Sequence, residues 1–261
     1  MALWLDWFYR QWDIFHTAYS MNSAASHQQL SLNVHLNDDA TFDNYFVPEE
    51  STNFLALQAV RALVGTTPGE PFVYLWGADG CGTSHLLQAA CHAALQQGLS
   101  SQYLPLEELA GFAADQLLDG LEQLDLVCLD GVQHVMGQHG WDTAMFHLYN
   151  RLRDNPRCRL LVAADCAPRY LGSGLQDLVS RMGWGVAFQL QALDDNNKLT
   201  ALKQRARSRG IELGDDVLQY IISRAARSMV ELVECLDRID SVSLSEKRKV
   251  TIPFLKDTFG W

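Results

Sequence analysis

Phe72-Val73-Tyr74-Leu75-Trp76-Gly77-Ala78-Asp79-Gly80-Cys81-Gly82-Thr83-Ser84-His85-Leu86 is the stretch that decides the fold. Five unbroken apolar residues predict a strand buried on both faces, as in a parallel sheet. The glycines that follow let the backbone wrap a diphosphate, and the helix after them points its first N–H groups at that anion. The spacing is G-x-x-x-x-G followed by Thr83-Ser84, where a phosphate loop carries lysine and then Ser or Thr. Gly80, Cys81, Gly82, Thr83, Ser84 and His85 are therefore candidate nucleotide contacts, with Ser84 placed to hold Mg2+. Thr83 cannot supply the charge with which the lysine bridges β- and γ-phosphates.

Outward from this loop, apolar runs alternate with helical patterns. Strands are predicted over 72–76, 101–106, 124–130, 159–165 and 186–190, and helices near 51–64, 84–97, 107–118, 141–154 and 174–181. This alternation indicates a doubly wound α/β domain, here 41–192, with right-handed crossovers. Beyond Leu190 the strand signal fades, and 194–210, 215–226, 229–244 and 252–259 read as helices of a small domain over 193–261. Gly210 and Gly214 separate the first two, Ser228 reads as a cap, and Pro253 suits a first turn.

The third strand ends Leu126-Val127-Cys128-Leu129-Asp130-Gly131. Four apolar residues and then Asp is the pattern of a metal-side carboxylate, so Asp130 is expected to order water around Mg2+. Gly131 stands where an active ATPase usually has the acidic residue that orients the attacking water. The losses at Thr83 and Gly131 point the same way: the site should hold nucleotide more readily than cleave it. Asp165, at the end of the fourth strand, faces the same crevice and reads either as a polar sensor of phosphates or as a turn residue.

Across 261 residues, 20 Lys+Arg stand against 31 Asp+Glu, a net charge of −11. Residues 1–197 hold only 8 of the basic residues against 22 acidic ones, and the first lysine is Lys198. So acidic a front argues against broad binding of a DNA backbone there, because that affinity rests on Lys and Arg. At 48% apolar residues the chain is of ordinary globular composition. No stretch of ~20 residues is apolar enough to span a membrane. Cys81, Cys91, Cys128, Cys158, Cys166 and Cys235 form no C-x-x-C pair and read as free thiols of a reducing compartment.

The amino end, 1–40, reads as a flexible segment. Residues 1–20 lack the basic start and uninterrupted apolar centre of a signal peptide and are poor in basic residues for an amphipathic anchor, so the preferred reading is a start-site artefact. Gln29-Leu30-Ser31-Leu32-Asn33-Val34 is a short apolar motif in a polar tail. It reads as an extended peptide that docks on a partner or as a short edge strand.

From about Gln29 to the carboxyl end, the chain resembles the DnaA family of AAA+ replication proteins, and within it the branch that promotes regulatory inactivation of DnaA. The segments that carry the resemblance are 29–32, Thr41-Phe42-Asp43-Asn44-Tyr45-Phe46, the phosphate loop, Leu129-Asp130, Ala164-Asp165, Ser180-Arg181-Met182-Gly183-Trp184-Gly185 and Val250-Thr251-Ile252-Pro253-Phe254. The resemblance implies an AAA+ α/β domain followed by an all-helical lid. It implies that Gln29, Leu30, Ser31 and Leu32 bind the sliding clamp of the DNA polymerase, with Gln29 in a polar subsite. Tyr45, Phe46 and Val47 would line the base, and Arg181 would be an arginine finger acting in trans. The family's lid sensor arginine aligns with Val230, and Arg227, one turn earlier, is the candidate substitute.

The function implied is negative regulation of chromosomal replication initiation by a cytoplasmic adaptor. Its partners would be DnaA and the clamp, with DNA reached only through the clamp and no membrane involved; a homo-oligomer is compatible with this. Its own degenerate phosphate loop would hold a nucleoside diphosphate, ADP, with Mg2+ at Ser84 and Asp130, and it would be an ATPase co-activator rather than a stand-alone enzyme. The chain stops at Trp261, just after the lid, so no helix-turn-helix DNA-binding domain is expected. The rival readings are a self-sufficient AAA+ ATPase, such as a relative of helicase loaders, and a nucleotide-free interaction scaffold.

Overall fold

The computed structural model describes residues 36–261 apart from 50, 66–68, 139, 226–227 and 247. The clamp-motif residues Gln29 to Leu32 and the sensor candidate Arg227 lie outside the described residues.

Five parallel strands form one sheet in the order β2-β3-β4-β1-β5: β1 Phe72–Trp76, β2 Ser101–Pro105, β3 Leu126–Asp130, β4 Arg159–Ala164 and β5 Val186–Gln189. Register pairs Tyr74 with Val162 and with Ala187, and Cys128 with both Tyr103 and Leu161. The first four residues of β1 and of β3 are buried, as a parallel sheet covered on both faces requires.

Helices α1 Thr52–Val64 and α2 Thr83–Gln96 pack on this sheet. Ser51 caps α1 by accepting from Phe54 N at 3.2 Å, and Ala56, Leu57, Val60, Leu63 and Val64 form its buried stripe. Asn53 is buried but satisfied: its amide donates to Gln191 O and accepts from Gln191 N, both at 2.8 Å. These bonds pin α1 to the chain leaving β5.

The helix predicted over 107–118 is two short pieces, α3 Leu106–Leu109 and α4 Ala114–Leu118. The break has two causes. Gly111 costs about 1 kcal/mol in a helix interior. The Ala110 carbonyl accepts the Trp141 indole N–H at 3.3 Å, a bond that competes with continuation of the helix. Then come α5 Trp141–Asp154 and α6 Gln176–Met182.

The lid is α7 Asp195–Ser208, α8 Asp215–Arg224, α9 Met229–Glu246 and α10 Ile252–Phe259. Leu202, Leu218, Leu232, Leu236, Ile239 and Phe254 are the centre of its core. Ser228 and Glu231 make a capping box for α9: the Ser228 hydroxyl accepts from Glu231 N at 3.2 Å, and the Glu231 carboxylate accepts from Ser228 N at 3.4 Å. Thr251 caps α10, and Pro253 sits in its first turn as the sequence implies. Arg209, just past α7, pairs with Asp39 and with Asp237, and Gln204 donates to Asp43 O at 3.0 Å. These contacts hold the lid to the segment that enters the α/β domain.

All six cysteines are free; Cys81, Cys91, Cys128 and Cys158 are buried.

Candidate nucleotide site

The loop after β1 stands between two lobes of a cleft at the carboxyl edge of the sheet. One lobe, of about 640 Å³, extends toward Asp130 and Asp165; the other, of about 390 Å³, extends toward Tyr45 and Phe46. Gly80, Thr83 and Ser84 line both. Gly82 is left-handed, at φ +99°, and a Cβ there would lie 2.7 Å from the Tyr45 ring. Gly80, at φ +75°, faces the start of α9: a Cβ on it would be 3.8 Å from Ser228 Cβ and 3.7 Å from Val230 Cγ2. The lid therefore closes directly over the loop. No side chain caps α2, which leaves its first N–H groups for a ligand.

Six carboxylates line the larger lobe, from Asp79, Glu107, Glu108, Asp130, Asp165 and Glu231, and none of its described lining residues is Lys or Arg. A γ-phosphate would meet net negative charge there. The Tyr103 phenol, on β2, donates to Asp130 Oδ2 at 2.6 Å. Burial, and then the Asp130 charge, push the Tyr103 pKa up, so the phenol stays a donor. Asp130 Oδ1 has no hydrogen-bond partner among the described residues. Ser84 and Asp130 offer the hard oxygen donors that Mg2+ takes. Bound there, the cation would offset charge between the carboxylates and a phosphate. No group of three or more His, Cys, Asp or Glu among the described residues forms a metal cluster, so a cation here depends on phosphate and water oxygens for its other ligands.

Tyr45 and Phe46 line the smaller lobe. Val47, expected beside them, lines neither lobe and packs instead against the core of the α/β domain. His85 reaches away from the loop: its Nε2–H donates to Thr41 O at 2.8 Å, and its ring sits 5.4 Å from that of Tyr45. Burial, as the largest cause, lowers its pKa to about 4. The unfolded chain, with an ordinary histidine near 6.5, takes up the proton first, so stability must fall as pH drops from about 6.5 toward 4. The expected loss is on the order of 3 kcal/mol. Melting temperatures between pH 7 and 4.5 should therefore fall further for the wild type than for His85→Gln, which keeps an N–H donor; parallel curves would contradict this.

Arg205, which the sequence reading missed, is the Lys or Arg that the described residues bring to the cleft, in the smaller lobe. No motif marks it. It belongs to a basic run, Lys203-Gln204-Arg205-Ala206-Arg207-Ser208-Arg209, and only the phase set by buried Leu202 and Ala206 turns it inward.

Arg181, on α6, lines neither lobe. Its guanidinium lies 4.2 Å from the centre of the Phe146 ring and 5.7 Å from that of Trp184, and Nη1 is buried with no partner among the described residues. Ser84, Asp130 and Asp165 do converge on the larger lobe.

A family model described as the bacterial DnaA ATPase domain matches residues 36–189, and one described as the Hda lid domain matches 195–259. Domain III of the Thermotoga maritima replication initiation protein DnaA is 22% identical, covers 87% of this chain and 98% of its own, and superposes with a TM-score of 0.74. AMPPCP-bound DnaA from Aquifex aeolicus is 26% identical over 81% of this chain and 68% of its own, with a TM-score of 0.66. The Holliday junction branch migration motor RuvB of T. maritima, at 15% identity over 84% and 73% and a TM-score of 0.60, shares the fold.

Proposed function

Because the chain belongs to the bacterial DnaA ATPase-domain family and carries the lid described for Hda, we propose that it regulates DnaA by completing that protein's ATP site rather than by turning over ATP in its own. One observation carries this reading. The chain's own cleft combines Thr83 and Gly131 with a carboxylate-lined lobe, while Arg181 lies apart from that cleft on α6.

In this reading Arg181 enters the ATP site of DnaA from a neighbouring molecule. A planar guanidinium there stabilises charge on the transferring phosphoryl group. The chain's own loop holds a nucleoside diphosphate, ADP, with Mg2+ at Ser84 and Asp130. Tyr45 and Phe46 flank the base, and Asp165 stands on the phosphate side. Gln29, Leu30, Ser31 and Leu32 tether the protein to the sliding clamp on DNA. The tether raises the local concentration of the adaptor beside DnaA. The result is fewer initiation-competent DnaA molecules. Such a protein works in the cytoplasm, and no described helix is long and apolar enough to cross a membrane.

The test is phosphate release from ATP-loaded DnaA in the presence of clamp loaded on DNA. Adding this chain should accelerate release, whereas the isolated chain with Mg-ATP should release almost none. Rapid turnover by the isolated chain, with no effect on DnaA, would make it a self-sufficient ATPase instead.

A further inference from the structure

Arg205 lines the smaller lobe, yet its guanidinium makes no hydrogen bond or ion pair among the described residues, and its Nε is buried without a partner. Its neighbour one turn along, Arg209, is fully engaged. Arg209 Nε donates to Asp39 Oδ2 at 2.7 Å, and Nη1 pairs with Asp237 Oδ1 at 2.6 Å. The Asp39 and Asp237 carboxylates, whose charge also reaches Arg205, bond Arg209 directly, and none bonds Arg205 among the described residues. An arginine does not shed its proton at physiological pH. A half-buried charge of this kind needs an anion, and leaving it unpaired is costly.

The lobe it faces supplies the place for one. The same lobe is lined by the loop residues Gly80 to Ser84 at the uncapped start of α2, the arrangement that accepts phosphate oxygens, and on its lid side by Glu234 and Asp237. The loop offers N–H dipoles but no full positive charge, because Thr83 stands where the lysine belongs. His85, also in this lobe, is neutral, so it neither competes for the anion nor replaces that cation.

We propose that Arg205 is the cation that replaces the missing phosphate-loop lysine, reaching the diphosphate of a bound nucleotide from the lid side rather than from the loop. The inference rests on the reading of the cleft as a nucleoside-diphosphate site and adds the residue that makes it work. It has a structural consequence. A lysine in the loop would bind phosphate whatever the lid does, whereas Arg205 belongs to α7, so binding requires the lid in place and the nucleotide in turn holds the lid against the loop.

The test is calorimetric titration of the full chain with ADP and with adenosine, using wild type, Arg205→Gln and Arg205→Lys. Loss of a charge-assisted contact should weaken ADP binding about 10- to 100-fold in Arg205→Gln. Adenosine, which has no phosphate, should bind wild type and variant alike. Arg205→Lys keeps the charge and should recover part of the ADP affinity. The ligand-free melting temperature should not fall in Arg205→Gln, because the guanidinium has no protein partner to lose. Equal ADP affinity in wild type and Arg205→Gln would overturn the inference while leaving the site reading intact. Equal losses for ADP and adenosine would make Arg205 a packing residue and also overturn it. Failure of the wild type to bind ADP at all would overturn both.

Discussion

Arg181→Ala is expected to abolish stimulation of hydrolysis on ATP-loaded DnaA, by about 10³-fold or more in the accelerated rate, while leaving the chain's own ADP affinity unchanged. The magnitude is that of other arginine fingers, whose charge stabilises a transition state rather than a bound ground state. The separation of the two effects follows from geometry, since Arg181 lines neither lobe of this chain's cleft. The Phe146 face lies 4.2 Å beneath its guanidinium, and Nη1 is buried with no hydrogen-bond partner among the described residues. A cation over an aromatic face is worth about 0.5–2 kcal/mol, enough to orient the group and not enough to prevent it from leaving for a phosphate. Arg181→Lys should not restore the rate, because an ammonium lacks the planar fork. The measurement is single-turnover phosphate release with clamp and DNA present. Equal acceleration by wild type and Arg181→Ala would reduce Arg181 to a structural residue and send the search to another group.

A Leu30→Ala, Leu32→Ala double variant should lose clamp binding by at least about 100-fold. Burying each leucine side chain contributes roughly 1.5–3 kcal/mol, and a short extended motif has little else to hold it. On the tether reading, melting temperature should stay the same. Stimulation of DnaA should fall at low concentrations of the variant and return at high ones, since a tether changes encounter frequency and not chemistry. Surface plasmon resonance against immobilised clamp reads the first effect, and a concentration series in the hydrolysis assay reads the second. Undiminished clamp affinity would sink the tether. A loss of stimulation that no concentration restores would instead place these leucines in the contact with DnaA.

Much of the scaffold was legible before any coordinates. Strands β1, β3 and β4 are buried along most of their length, so they appear as near-continuous short apolar runs, and their alternation with helical patterns marks them as strands of a parallel sheet. The lid helices announce their starts through Ser228 and Pro253, whose chemistry is local to the helix end. The stretch 107–118 was misread because the carbonyl that marks the break is bonded to Trp141, some thirty positions away. The resemblance places Val47 at the base with Tyr45 and Phe46, but its side chain packs against the core of the α/β domain.

The sequence by itself determined what this protein's phosphate loop lacks. Thr83 carries no charge, Gly131 carries no carboxylate, and no lysine precedes Lys198. Those are properties of composition along the chain, and no folding can add a group that is missing. Only the tertiary structure decided which distant groups join the cleft. Tyr103 reaches Asp130 because β2 lies beside β3 in the sheet. Arg205 lines the same lobe as the loop, more than a hundred residues before it, because α7 presents one face to its own core and the lid folds back over the cleft. Helix phase and domain closure arise from the burial of apolar surface, which is non-directional and summed over the whole molecule. No single residue in the basic run of α7 records which of its arginines will turn inward.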